Sequence, residues 1–336
     1  MAEEEPVVRG RGAAPPARSR RGPALIVAGL LALTGCAAGG PASAPFGGDA
    51  GDDAAPTATA LTASNGARVA TSEWIPPSPR GVILALHGYG DYGDLTFRRA
   101  ARAWSDRGIA TIAMDQRGFG RNASRGYWPG AEGLIEDAVA ATRQVRTRYP
   151  CLPLVLLGHS MGGGVAAAAA ARDLDADAVV LAVPAIWGGS LLNPFYRLSA
   201  WLAAAVVPEM RFSGRGVIRI QPTDNIEAWR ELGRDPLYLS PPSARELHGL
   251  VRLTDLAEAA AEDVAMPALL LLGARDQIVA NDAARETFGR FAGDRTVIEY
   301  PDGWHLIFRD RQAARVWRDV ADWVLATRGP ACEARP

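Results

Sequence analysis

From about position 60 onward, short and nearly continuous apolar runs alternate with longer stretches whose apolar positions recur at helical spacing. The runs at 81–88 (GVILALHG), 108–115 (GIATIAMD), 152–160 (LPLVLLGHS), 177–185 (DAVVLAVPA), 267–276 (PALLLLGARD) and 295–303 (RTVIEYPDG) are each short enough to be strands. Their near-continuous apolar character is that of strands covered on both faces. Stretches near 94–107, 132–148, 281–291 and 310–327 read as helices, and MGGGVAAAAAAR (161–172) follows one strand directly. An opening hairpin is predicted where ALTAS meets RVATSEWI across an Asn65-Gly66 turn. Strands alternating with helices in this way predict an α/β architecture: a mostly parallel sheet with helices on both faces. Its functional site belongs at the carboxyl ends of the strands. The rhythm stops from Trp187 to about Asp263 and then resumes, so a helical cap is predicted as an insert before the last two strands of a domain spanning 59–330.

The pattern before position 59 is different. An Arg-bearing stretch (Arg9 to Arg21) precedes an apolar run from Ala24 to Leu33, which meets Thr34, Gly35 and Cys36. That order is the layout of a secretory signal. The apolar run is far shorter than the roughly 20 residues a membrane-spanning helix needs, so a permanent transmembrane anchor is not expected. Residues 36–58 are mostly Gly, Ala, Pro and Asp, with almost nothing to bury, and read as a flexible tether.

Composition narrows the function. A formal net charge of -1 and a pI near 6.5 create no field that would gather nucleic acid, so no nucleic-acid partner is expected. The basic residues are all arginine. Three cysteines, at 36, 151 and 332, are too few and scattered for a zinc cluster or disulfide framework, and no metal or other cofactor is expected.

Two glycine-bearing turns compete for the chemistry. Gly88-Tyr89-Gly90-Asp91-Tyr92-Gly93 fits a dinucleotide fingerprint, with Asp115 at the end of the next strand. Asp91 and Asp94 would, however, stand where a pyrophosphate must sit at the helix start, and His87 would have no role. The stronger signal is Gly158-His159-Ser160-Met161-Gly162, placed between an apolar strand and an Ala-rich helix, the setting a nucleophile elbow requires. A serine needs a base, and hydrolases with such an elbow supply the partners in the chain order Ser, Asp, His. Of the four histidines only His305 follows the last strand, in the segment Tyr300-Pro301-Asp302-Gly303-Trp304-His305. Asp276 closes the preceding strand and becomes the acid. The backbone N–H groups of Met161 and Tyr89 are the expected oxyanion-hole donors.

The segments HGYGD (87–91), DQRGFG (115–120), GHSMGG (158–163), GARDQIV (273–279) and YPDGWH (300–305) together resemble the monoacylglycerol lipase and lysophospholipase (serine aminopeptidase-like) branch of the α/β-hydrolases. That resemblance implies the α/β-hydrolase fold and a serine hydrolase cleaving lipid-like carboxylic esters through an acyl-enzyme. Proline iminopeptidase-like and thioesterase activities use the same triad and remain alternatives, as does a non-catalytic envelope lipoprotein that uses the scaffold for binding. The family usually carries a serine where this chain has Asn122, which we read as part of a structural turn. The tetrad Leu33-Thr34-Gly35-Cys36 resembles a bacterial lipobox. It implies a signal peptide at 1–35, acylation of Cys36 and a lipid-anchored position in the cell envelope, at the outer membrane. In such an oxidising place Cys151 and Cys332 could bridge, since both belong at the sheet's lower edge.

The predicted cap carries an apolar and aromatic stripe of Leu191, Leu192, Phe195, Tyr196, Trp201, Leu202, Val206, Val207 and Phe212, suited to an acyl chain or a membrane surface. It also carries Glu209, Asp224, Glu227, Glu231 and Asp235, which suit the ammonium of an aminopeptidase substrate.

Overall fold

Strands β1 (Thr57–Thr62) and β2 (Arg68–Trp74) pair antiparallel as the opening hairpin, turning at Gly66, whose φ of +83° strains any other residue. The computed structural model describes residues 56–186, 194–212 and 220–331. The expected signal peptide, the tether up to residue 55, Cys36, Cys332, Leu191 and Leu192 lie outside the described residues, as does the side chain of Tyr196.

Six further strands follow: β3 (Gly81–Leu86), β4 (Ile109–Met114), β5 (Leu154–His159), β6 (Ala178–Ala182), β7 (Ala268–Gly273) and β8 (Arg295–Tyr300). The sheet order is β1-β2-β4-β3-β5-β6-β7-β8, and every pairing from β4 to β8 is parallel. Strands β3 to β7 are buried at every position, which is why their sequences lack alternation. Within β3, Val82, Leu84 and Leu86 belong to one apolar layer, and Ile83 and Ala85 to the other. Helices α2 (Ala131–Arg148) and α3 (Met161–Ala170) contribute to the first layer; α1 (Gly93–Asp106) and α8 (Ala313–Ala326) fill the second. Each large aliphatic side chain so buried contributes about 1.5–3 kcal/mol. The mostly parallel sheet covered on both faces that the pattern predicts, and the α/β-hydrolase fold that the resemblance implies, are therefore the observed architecture.

The insert supplies α4 (Pro194–Val206), α5 (Ile226–Arg234) and α6 (Ala244–Ala259), after which α7 (Asn281–Gly289) returns to the sheet. Within the cap, Arg197 grips both carboxylate oxygens of Asp255, at 2.8 and 2.6 Å, and ties α4 to α6.

The chain passes from β3 to β4 on one side and then to β5 on the other, so the topological switch falls between β3 and β5. A crevice opens at such a point because the two outgoing loops diverge. The turns that line it are braced from beneath. Asp115 accepts hydrogen bonds from the N–H of Gly93 (3.0 Å), the N–H of Arg121 (3.0 Å) and the Arg121 guanidinium (2.8 Å). The side-chain oxygen of Asn122 accepts from the Ala70 N–H, and its amide donates to the carbonyls of Asp115 and Gln116. Asn122 is thus a structural turn residue, and Asp115 is occupied by its own chain. At the sheet's opposite edge, Cys151 is disulfide-bonded, and Gly329 packs against Leu152 and Pro153 just beside it. Cys332, the candidate partner, lies outside the described residues.

Helix α3 approaches β3 closely enough that a Cβ on Gly162 would stand 2.3 Å from the Leu86 carbonyl oxygen. Gly162→Ala is therefore expected to destabilise the domain by about 1–3 kcal/mol, as for other overpacked sites. Urea unfolding followed by circular dichroism measures this; an unchanged midpoint would contradict so tight a contact.

Candidate active site

Ser160 stands between β5 and α3 with φ +53° and ψ -116°, a conformation that disfavours a side chain and costs about 1–3 kcal/mol. The surroundings fix it there. Its N–H donates to the Ala182 carbonyl (3.0 Å), and its carbonyl accepts from the N–H groups of Gly163 (2.9 Å), Gly164 (3.1 Å) and Ala185 (2.9 Å). Glycines make the bend sterically possible, since a Cβ on Gly158 would meet the Gly162 carbonyl oxygen at 2.1 Å.

Asp276 lies in the turn just past the end of β7 rather than within the strand, and His305 in the loop after β8. The Ser160 hydroxyl lies 2.9 Å from Nε2 of His305, and Nδ1 of the same ring lies 2.8 Å from Oδ2 of Asp276. Three side chains far apart in the sequence thus form one proton path. The other oxygen of Asp276 accepts the N–H groups of Ile278 (2.7 Å) and Val279 (3.0 Å). Burial raises the pKa of Asp276, but the His305 ring and these two N–H groups outweigh it and hold the carboxyl below its ordinary value. It is an anion whenever the ring needs one. Arg275 pairs instead with Asp302, at 2.6 Å, and leaves Asp276 to the histidine.

Both expected oxyanion donors border the nucleophile. Met161 is the first residue of α3, and the first N–H groups of a helix have no intrahelical acceptor. They also carry the positive end of the helix dipole, which favours an oxyanion. A Cβ on Gly88 would stand 3.2 Å from Cβ of Ser160, so the backbone entering Tyr89 passes directly beside the serine.

The remaining histidines near the site are structural. His87 donates from Nδ1 to the Gly88 carbonyl (2.7 Å) and accepts at Nε2 from the Gln116 N–H (2.9 Å). Burial lowers its pKa, so the ring is neutral. Asp91 is buried at the start of α1, 3.8 Å from the Arg309 guanidinium. These assignments leave the glycine-rich turn at 88–93 in the service of the fold rather than of a dinucleotide.

Residues 77–312 match the family described as serine aminopeptidase, S33. The chain belongs to that family. Among its relatives, a monoacylglycerol lipase of Mycolicibacterium smegmatis is 26% identical over 276 residues, covering 78% of this chain and 94% of the relative. The human monoglyceride lipase is 25% identical and covers 78% of this chain and 88% of the human protein. A soluble variant of monoglyceride lipase from Saccharomyces cerevisiae, solved with a substrate analogue, superposes with a TM-score of 0.68 at 21% identity, over 83% of this chain and 97% of that one.

Three contributors to this S33 site were not singled out in the sequence. His159 donates from Nε2 to the carbonyl of His305 (2.9 Å) and so holds the catalytic loop from below. Burial, followed by the nearby His305, pushes its pKa down to about 3, which keeps it neutral. Glu246 accepts the Tyr89 phenol at 2.9 Å and so fixes the oxyanion loop to the cap. A legible signal existed for Glu246, because Ser243-Ala244-Arg245-Glu246 is a capping-box sequence, and that box forms. Asp310, which accepts the Trp304 N–H at 2.7 Å, had no local signal.

Asp276→Asn keeps the shape but permits the wrong His305 tautomer. It is expected to lower kcat by roughly a thousand- to ten-thousand-fold on any cleaved ester, with KM little changed. Steady-state kinetics with a chromogenic short ester checks this; a loss below tenfold would remove Asp276 from the proton path.

Proposed function

We propose that this protein is a lipid-anchored envelope enzyme that hydrolyses the carboxylic ester of a monoacylglycerol or lysophospholipid. The observation that carries the hydrolase reading is the unbroken Ser160–His305–Asp276 chain on a strained elbow. As Ser160 Oγ attacks the ester carbonyl, its proton passes to Nε2 of His305, and Asp276 stabilises the resulting imidazolium. The tetrahedral oxygen then faces the N–H groups of Met161 and Tyr89, where each donor is worth about 3 kcal/mol of transition-state stabilisation. Collapse expels the alcohol, which takes its proton from Nε2. Water, deprotonated by the same ring, releases the fatty acid.

Several observations favour a lipid. On α4, Leu198, Trp201, Leu202 and Val206 are exposed, and Val206 reaches 75%. An apolar outward face on the cap suits acyl chains or a bilayer surface. The relatives' names point the same way. The acids that would favour a peptide amine are largely engaged by the protein: Glu209 pairs with Arg245 (2.7 Å), Asp235 accepts the Tyr92 phenol (2.8 Å) and Asp224 accepts the Arg311 N–H (2.9 Å). No helix among the described residues is long and apolar enough to cross a membrane. Attachment is assigned, on the lipobox-like tetrad Leu33-Thr34-Gly35-Cys36, to acylated Cys36, which would hold the enzyme at the outer membrane beside its substrate.

Glycerol monoesters of graded length test the substrate class. Catalytic efficiency is expected to rise with chain length, by up to about fourfold per methylene buried, before levelling off. Faster release of amino-terminal residues from peptides, or a preference for thioesters, would replace this reading; failure of a fluorophosphonate to label Ser160 would favour a binding protein. Separately, Cys36→Ala is expected to move the enzyme from the membrane pellet of the producing bacterium to the soluble fraction. Retention in the pellet would refute the anchor.

A further inference from the structure

The cap segment before α5 lies across the His305 loop and is hydrogen-bonded along it. Leu306 N–H donates to the Pro222 carbonyl (2.9 Å), and the Asn225 amide donates to the Arg309 carbonyl (2.8 Å). Gln221 N–H reaches the side chain of Gln277, the neighbour of Asp276, at 3.0 Å. At the centre is a carboxylate that the hydrolytic steps leave unused. One oxygen of Asp310 accepts the Thr223 hydroxyl (2.6 Å) and the other accepts the Trp304 N–H (2.7 Å). Thr223 is fully buried and Asp310 is 4% exposed. Trp304 is the residue immediately before the catalytic histidine, so this bond sets where the His305 ring starts.

We propose that Asp310 is a positioning residue for the hydrolytic reaction: through Trp304 it holds the His305 ring at the serine, and through Thr223 it ties that position to the cap. The inference rests on the serine-hydrolase reading of the triad and adds a requirement to it. The Thr223 oxygen already accepts the Asn225 N–H (3.0 Å), so its own hydrogen is the one directed at Asp310. An ionised carboxyl accepts from both Thr223 and Trp304 with charge-assisted bonds. A protonated one binds the two groups only as a neutral partner, with bonds about half as strong, and holds the loop less firmly.

Burial pushes Asp310 up to about 7; Thr223 and Trp304 oppose the rise, the charge of Asp224 on the cap adds to it, and His305 opposes it. The bonds therefore loosen as pH falls through neutrality. The sign for stability is the reverse. A carboxyl whose folded pKa lies above its unfolded value of about 4 binds protons on folding, so its contribution to stability declines as pH rises from there to about 7. Holding this anion weakens the fold in exchange for a fixed histidine.

The test is the rate at which a small fluorophosphonate labels Ser160, followed from about pH 5 to 9. In the wild type both His305 and Asp310 must lose a proton, so the acid limb is expected to be steeper than a single titration. Asp310→Asn keeps an acceptor for Trp304 and an amide for Thr223. It is expected to show a single-proton limb, a plateau lowered roughly tenfold, and a melting temperature at pH 8 at or above that of the wild type. Thr223→Val removes a donor to the carboxylate and should move the limb to higher pH. Superimposable limbs in all three proteins would overturn the role of Asp310 and leave the hydrolase reading standing. Absence of labelling in the wild type would overturn both.

Discussion

The left-handed backbone of Ser160 is the constraint on which the site depends. A serine in an ordinary conformation at the end of β5 would continue the strand or fold into α3, and its hydroxyl would face other atoms of the core. At φ +53° it is lifted clear of both. That geometry persists only because its own N–H and carbonyl are tied to β6, α3 and the following loop, and because Gly158 and Gly162 let strand and helix pass within backbone contact. The strain is local, whereas the forces that hold it come from the whole parallel sheet.

The same sheet explains how the partners arrive. Strands β5, β7 and β8 run parallel, so all three end at one edge, and the loops leaving them carry Ser160, Asp276 and His305 to a common crevice. Burial there strengthens each hydrogen bond. It also raises the cost of any unpaired charge, which is why both oxygens of Asp276 are occupied and His159 is neutral.

The cap belongs to the catalytic architecture as much as to substrate choice. Leu239 N–H donates to the Gly90 carbonyl and Glu246 takes the Tyr89 phenol, so the oxyanion loop hangs from the cap on one side. Pro222 and Thr223 hold the histidine loop on the other. A change in the cap can therefore reach the chemistry without touching substrate.

By itself, the sequence determined the periodicity of the sheet, the elbow, and the chain order of serine, acid and base, because each is written in neighbouring residues. Apolar continuity marks a strand buried on both faces, and small residues around a serine mark a bend that tolerates no bulk. Only the tertiary structure decided which carboxylate Arg275 would take, that His159 supports the loop of His305, and that Asp310 and Thr223 meet. Those pairings join residues distant along the chain, and their partners are chosen by distance and desolvation within the folded core, quantities that no local pattern encodes.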